Sequence, residues 1–368
     1  MQEHDVYGKI KPVEAVSGTL GHKKRLEETV VPLVNWFLQN KRALPWREEA
    51  TPYHVWLSEI MLQQTRVEAV IPYYHRFLAQ LPDIGALAAV EEEELMKLWQ
   101  GLGYYNRARN LKAAAQQVVS QYGGELPADY EKLLKLRGIG SYTAGAIASI
   151  AFGIPRPAVD GNVLRVISRI LASEEDIAQP KVKKQIEEML LSVMPAVNPG
   201  DFNQALMELG AVVCIPGKSP HCTECPVSGL CLAYQNKKTD TIPVKASKKP
   251  RRIEEKTVFL IKWKDGYAIR KRPSSGLLAN LYEFPNVEGT LNGKQLAEYL
   301  VQAGENSFTA EPLPPSRHIF SHVEWRMSAY YIVLRKKKSE TFTFYNKEEI
   351  EEKYAIPSAF AAYAELLV

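Results

Sequence analysis

Cysteine is scarce and confined: of 368 residues only four are cysteine, all between positions 214 and 231. None is left elsewhere to pair across the fold, which excludes a general disulfide framework and fits a reducing interior. Long apolar runs are lacking too, and no stretch approaches the roughly 20 residues that a membrane span needs. The N-terminal residues, MQEHDVYGKIKPVEAV, put charges and a proline where a signal peptide needs an apolar core, so a soluble cytoplasmic protein is expected. Charge of one sign is also in short supply. Lys and Arg total 46 against 42 Asp and Glu, a net +4, which permits a polyanionic partner without requiring one. What is present, 46% hydrophobic and 24% charged residues, excludes a disordered or fibrous chain and suffices for two or three domains with real cores.

The stretch LKLRGIGSYTAGAIASIAFGIPRPAVDGN, residues 134–162, is the most informative. Gly138 and Gly140, one residue apart, predict a tight turn between helices, with a small-residue helix starting near Thr143 and Ala144. Their amides beside a helix N-terminus suit an anion such as a phosphate; a plain helical hairpin is equally compatible with these residues. Asp160 precedes the apolar set Val163, Leu164, Val166, Ile167 and Ile170, so it stands at a helix start, where capping is its simplest role.

Residues 1–24 show no periodicity and read as a flexible lead, followed by an amphipathic helix from Leu26 through Val30, Leu33, Val34 and Phe37. LPWR (44–47) breaks it, with Trp46 a core anchor or, with Arg47, a surface for a flat base. A helix is expected over 53–70. Ser58, Glu59, Gln63 and Arg66 share one arc, which reads as a solvated face, yet Leu62 lies within it and Ile60 and Met61 flank it. A carboxylate at such an apolar edge can be desolvated and held protonated as a general acid. GLGYYNRAR (101–109) sets two glycines, two aromatics and two cations together, either a helix corner or a loop that wedges into stacked bases. Further helices to about residue 235, with no convincing alternating strand, predict an all-α first region.

Cys214, Cys222, Cys225 and Cys231 are separated by seven, two and five residues. Four thiolates in one short loop point to a metal or cluster site, and four-cysteine zinc and [4Fe-4S] fit equally on ligand count. Residues 236–256, basic and proline-containing, read as a linker. From Thr257 the pattern alternates and carries Asp265-Gly266, a hairpin signal. Segments 322–336 and 341–346 are again β-rich, and 296–302 and 359–367 are helical, so an α+β second domain is expected.

Taken in order, these motifs resemble a known family. LRGIGSYTAGAIASIAFG with VDGNVLRV is similar to the helix-hairpin-helix and aspartate of the DNA glycosylase superfamily to which endonuclease III belongs. LPWR, VWLSEIMLQQTRV, GLGYYNRARNL and FNQALMELG resemble its adenine glycosylase (MutY) branch. The resemblance implies an N-terminal helix-hairpin-helix glycosylase region (25–235) with a four-cysteine cluster loop, the linker (236–256), and a C-terminal Nudix-like α+β domain (257–368). It implies a [4Fe-4S] cluster on the four cysteines, although the family's first gap is usually six residues. It further implies a monomeric, monofunctional base excision repair enzyme, nucleoid-associated if bacterial, that binds double-stranded DNA and hydrolyses adenine mispaired with 8-oxoguanine or guanine.

Carried over position by position, Glu59 protonates adenine and Asp160 stabilises the sugar cation, supported by Tyr142 and Asn162. Tyr142 replaces the lysine of strand-nicking relatives, which excludes a Schiff base there. Trp46, Arg47, Leu62, Gln204 and Met207 form the adenine pocket; Gln64 and Tyr104 fill and wedge the stack, and the Gly138–Gly140 turn grips phosphate. Thr65 and the Phe320-Ser321-His322 loop read 8-oxoguanine. The dense glutamate pattern of Nudix hydrolases is missing from GTLNGKQLAEYLVQAG, so pyrophosphate hydrolysis is not expected. Two rivals are a glycosylase of other base specificity and a catalytically silent DNA-binding scaffold.

Overall fold

The computed structural model describes residues 14–217, 219–246 and 250–368. Its contacts gather the chain into two compact units that do not follow chain order: one takes residues up to Gln63 together with Ser120–Ser247, the other Gln64–Val119 together with Lys248–Val368. No helix among the described residues is long and apolar enough to cross a membrane.

The first unit is helical. Its opening helix spans Glu14–Asn40, so the expected flexible lead is corrected from residue 14 onward, and the rest of it lies outside the described residues. The buried stripe Leu26, Leu33 and Phe37 packs this helix against Ile167, Phe202, Leu206 and Leu209, and that packing stabilises a helix whose start carries no apolar pattern. The helix Pro52–Leu62 starts on Thr51, whose side chain accepts from the His54 amide, with proline in its first turn. It does not continue to residue 70. Gln63 leaves helical geometry, Gln64 has φ 59, and a new helix runs Val67–Gln80. Ser58 and Glu59 are buried, and the solvated-face reading therefore fails for that pair.

The glycine turn leads into the helix Ser141–Ala146, which continues as a short π-helical stretch, Ile147–Ala151. Gly138 has φ 78, a conformation that favours glycine, whereas Gly140 is extended at φ −98 and ψ −177 and needs no special freedom. Asp160 then caps the helix Gly161–Ile170, and the helices Pro180–Leu191 and Pro199–Val212 complete the core.

In the second unit the helices from Val67–Gln80 to Asn106–Tyr122 accompany a mixed sheet. Its strands are β1 (Arg252–Trp263), β2 (Gly266–Lys271), β3 (Tyr282–Glu283), β4 (Asn286–Glu288), β5 (Phe308–Ile319), β6 (Val323–Leu334) and β7 (Thr343–Asn346). The main order is β3-β2-β1-β6-β5, with β4 on β1 and β7 on β2. β1 and β6 are parallel, in register from Arg252 opposite Val323 to Lys262 opposite Val333. Because β1 begins at Arg252, residues 252–256 of the expected linker belong to the sheet; residues 247–249 lie outside the described set. β1 is buried on both faces, Val258 and Leu260 packing with Trp325 and Phe360, and Phe259 and Ile261 with Leu296 and Leu300. That explains its near-continuous apolar run. The β1–β2 hairpin turns on Lys264 and Asp265, with Trp263 paired to Gly266, so Gly266 opens the second strand.

Candidate active site

Two carboxylates define the centre of the helical unit. Glu59, from the helix Pro52–Leu62, is 6% exposed, and its Oε2 accepts a hydrogen bond from the Tyr142 hydroxyl. Burial raises its pKa from 4.5 to about 7; the Tyr142 hydrogen bond opposes this, the charge of Asp160 adds to it, and Arg47 opposes it. Tyr142 lies well above the ordinary tyrosine value, chiefly through burial and then through the negative charges of Glu59 and Asp160, so it remains a hydroxyl donor. Its oxygen also sits 3.9 Å from the Met207 sulfur.

Asp160 caps its helix and does more. Oδ1 accepts from the Val163 amide at 2.8 Å and Oδ2 from the Asn162 side-chain amide at 2.8 Å. Burial pushes its pKa up, while those donors, the Asn162 backbone amide and the Arg165 charge pull it down. Burial raises both acids, but their partners differ: Glu59 has a tyrosine donor, whereas several donors and the Arg165 charge oppose the rise at Asp160 without cancelling it.

Behind Asp160, Asn162 is itself held. Arg165 donates to Asn162 Oδ1 at 2.9 Å, to the Gly210 carbonyl at 2.7 Å and to the Cys214 carbonyl at 2.8 Å. A Cβ on Gly210 would fall 2.6 Å from the Asn162 Cβ, so this close approach requires glycine. A continuous set of hydrogen bonds thus runs from the first cysteine's backbone to the aspartate.

A third group sits around Arg47. Its Nε donates to Gln204 Oε1 at 3.1 Å, its Nη1 to the Arg42 carbonyl at 2.9 Å and its Nη2 to Glu208 Oε2 at 2.8 Å. Burial alone would raise the Glu208 pKa, but the hydrogen bonds of Arg42 and Arg47 win and lower it to about 2. Trp46, beside Arg47, is buried, and Leu62 ends the Glu59 helix.

Residues 57–191 match the HhH-GPD superfamily of base excision DNA repair proteins, and residues 257–366 match a NUDIX domain. Adenine DNA glycosylase of Mus musculus is 37% identical over 369 residues, covering 84% of this chain and 71% of that protein. The chain belongs to the adenine DNA glycosylase family. Among solved structures, a thermostable thymine-DNA glycosylase is similar at TM-score 0.53 and 29% identity, covering 58% of this chain and 98% of its own. A trapped endonuclease III–DNA covalent intermediate is similar at TM-score 0.51 and 26% identity, with coverage of 58% and 98%. The N-terminal region is therefore a helix-hairpin-helix glycosylase fold and the C-terminal region a Nudix-like domain, as the motifs imply.

For this glycosylase family member, the structure distributes the sequence-predicted residues as follows. Glu59 meets Tyr142, Tyr142 meets Met207, Asp160 meets Asn162, and Arg47 meets Gln204, all in the helical unit. Gly138 and Gly140 are exposed at the turn. In the other unit, Gln64 is exposed at positive φ, and Thr65 accepts from Arg107 at 3.2 Å. Phe320, Ser321 and His322 form the tip of the β5–β6 hairpin, closed by the Phe320 amide donating to the Val323 carbonyl at 2.8 Å. The Tyr104 hydroxyl, at φ 49 and 47% exposed, lies 3.2 Å from Ser321 Oγ, beside a cavity of about 420 Å³ lined by residues of both loops.

None of the four cysteines is in a disulfide, and among the described residues no group of three or more His, Cys, Asp or Glu is gathered closely enough to hold a metal ion as it stands. Their chemistry is nonetheless shared: burial raises Cys225 to about 12, and the charges of Cys214, Cys231 and Cys222 add to that rise. The longer first gap is gathered by Arg169, which donates to the carbonyls of Ile215 at 2.9 Å and Gly217 at 3.1 Å and to the Cys214 sulfur at 3.3 Å. Sequence reasoning passed over Arg165 and Glu208. The available signal was an arginine inside the apolar run of 163–170, and a glutamate one turn after Gln204.

Proposed function

We propose that this chain releases adenine from duplex DNA where it stands opposite 8-oxoguanine or guanine, by hydrolysis and without cutting the strand. The observation that carries the reading is the pair Glu59 and Asp160, two buried acids in one site: Glu59, raised to about 7, has a tyrosine donor, and Asp160 is held by the Val163 amide, by Asn162 and by the charge of Arg165. The enzyme acts on a base swung out of the stack. Glu59 gives its proton to adenine as the C1′–N9 bond breaks. The Asp160 carboxylate stabilises the cationic sugar, as a charge or by transient attachment, until water adds at C1′ and loses its proton. Tyr142 offers no amine for a Schiff base, which favours hydrolysis alone. Trp46, Leu62 and Met207 supply apolar walls and Arg47 and Gln204 polar contacts for the base. Gln64 and Tyr104 fill the opened stack, the Gly138–Gly140 turn takes a phosphate, and Thr65, Phe320, Ser321 and His322 read 8-oxoguanine. The protein works as a monomer inside the cell, where its DNA is.

The test uses duplexes with adenine opposite 8-oxoguanine, guanine or thymine. An alkali-labile site is expected at adenine in the first two and not the third. Its absence at the mispaired adenine overturns the reading, and strand breaks without alkali overturn the monofunctional part. Cys214, Cys222, Cys225 and Cys231 are proposed to hold a [4Fe-4S] cluster, for which four thiolates are the usual donor set. When bound, such a group ties four points of the loop together. Purified protein should be brown and contain about four irons per chain; zinc in its place would refute the assignment.

A further inference from the structure

We propose that Glu208 is a positioning residue: its buried carboxylate holds the Arg47 guanidinium, and through it the Gln204 amide, in place beside the base. The inference rests on the reading above, in which Arg47 and Gln204 contact the base.

Gln204 and Glu208 lie one turn apart on the helix Pro199–Val212, so both side chains reach the same side. Both meet Arg47. All three of its guanidinium nitrogens have protein acceptors, and its carbon lies 5.2 Å from the centre of the Phe37 ring. A guanidinium only donates. Gln204 must therefore turn its oxygen towards Arg47, and its amide NH₂ is the face left to offer another group. Glu208 is the anionic anchor of this set. Its side chain is 1% exposed, and Arg42 shares it through Nε at 2.7 Å, Nη2 at 3.1 Å and the backbone amide at 3.1 Å. In Glu208→Gln the new NH₂ would face an arginine donor, and the geometry of Arg47 would be lost while shape is kept. Arg42 supplies a control, because its side chain shares the carboxylate while the acceptor it offers Arg47 is its backbone carbonyl, which Arg42→Ala keeps.

A double-mutant cycle decides the matter: single-turnover adenine release opposite 8-oxoguanine is measured for wild type, Glu208→Gln, Arg47→Ala and the double variant, beside affinity for a duplex with a non-cleavable adenosine analogue. Glu208→Gln should slow release about 10- to 100-fold with affinity within about threefold. The double variant should be no slower than Arg47→Ala by more than about twofold, because the first change acts only through the second. Arg42→Ala should keep the wild-type rate within about threefold while melting at a lower temperature. Rate losses that multiply in the double variant, an unaffected Glu208→Gln, or an Arg42→Ala as slow as Glu208→Gln would each overturn the proposal. If Glu208→Gln does not fold, Glu208→Asp, which keeps the charge and shortens the reach, takes its place in the cycle. Failure of wild type to release adenine overturns the functional reading itself and this inference with it, whereas an active wild type with a multiplicative cycle overturns Glu208 alone.

Discussion

Asp160→Asn is expected to slow adenine release by about 10³-fold or more in single-turnover measurements, with duplex affinity retained. The carboxylate would face a cationic sugar with little water nearby, where a full charge counts far more than a dipole of the same shape. Folding should suffer much less. Asn is as good a cap as Asp, so the bond from the Val163 amide survives. At the other oxygen the outcome differs, because Asn162 donates there and keeps its own oxygen on Arg165. A new NH₂ at that point opposes a donor that cannot turn without losing Arg165. A cost on the order of 1–2 kcal/mol in stability is the expected sign of this clash. Substantial residual turnover would show that Asp160 is only a cap.

The second large effect concerns pH. Glu59 must carry its proton to act as an acid, and its pKa is about 7, so wild-type release should be level below that pH and fall about tenfold for each unit above it. Glu59→Gln should lose about 10²- to 10⁴-fold at pH 6 and show no such descent. Stability should fall with rising pH as well. The folded value lies above the ordinary 4.5, so Glu59 costs nothing below about 4.5, where it is protonated in both states, and its cost grows as pH rises from there through about 7. Above that range the cost is on the order of 3 kcal/mol, and Glu59→Gln should melt higher than wild type at pH 8 but not at pH 4. A variant that keeps the wild-type pH profile would remove Glu59 as the acid.

Much of the fold was legible in local pattern. The Gly138 turn, the Asp160 cap and the hairpin near Asp265 are set by residues a few positions apart, where glycine conformation and side-chain capping decide the backbone. The break after Leu62 was not, because the helical pattern runs on through Gln63 and Gln64 and only the backbone of Gln64 departs from it. The start of the first helix was hidden for the converse reason: its early residues have no apolar rhythm. Burial of Glu59 and the partnership of Glu208 with Arg42 and Arg47 depend on segments more than 80 residues away, which periodicity does not report. The tyrosine at position 142 was informative only through resemblance, since its partner Glu59 is remote in sequence.

The grouping of Gln64–Val119 with Lys248–Val368 bears on how this chain can be cut or recombined. Lys97 donates to the Tyr354 carbonyl at 3.2 Å, Gln100 to the Ile356 carbonyl at 2.9 Å, and Asn280 to Glu92 at 3.1 Å. Truncation near residue 247 would strip these partners from helices in the middle of the chain. A Nudix-like region grafted from a relative would therefore have to match the facing surfaces of residues 64–119.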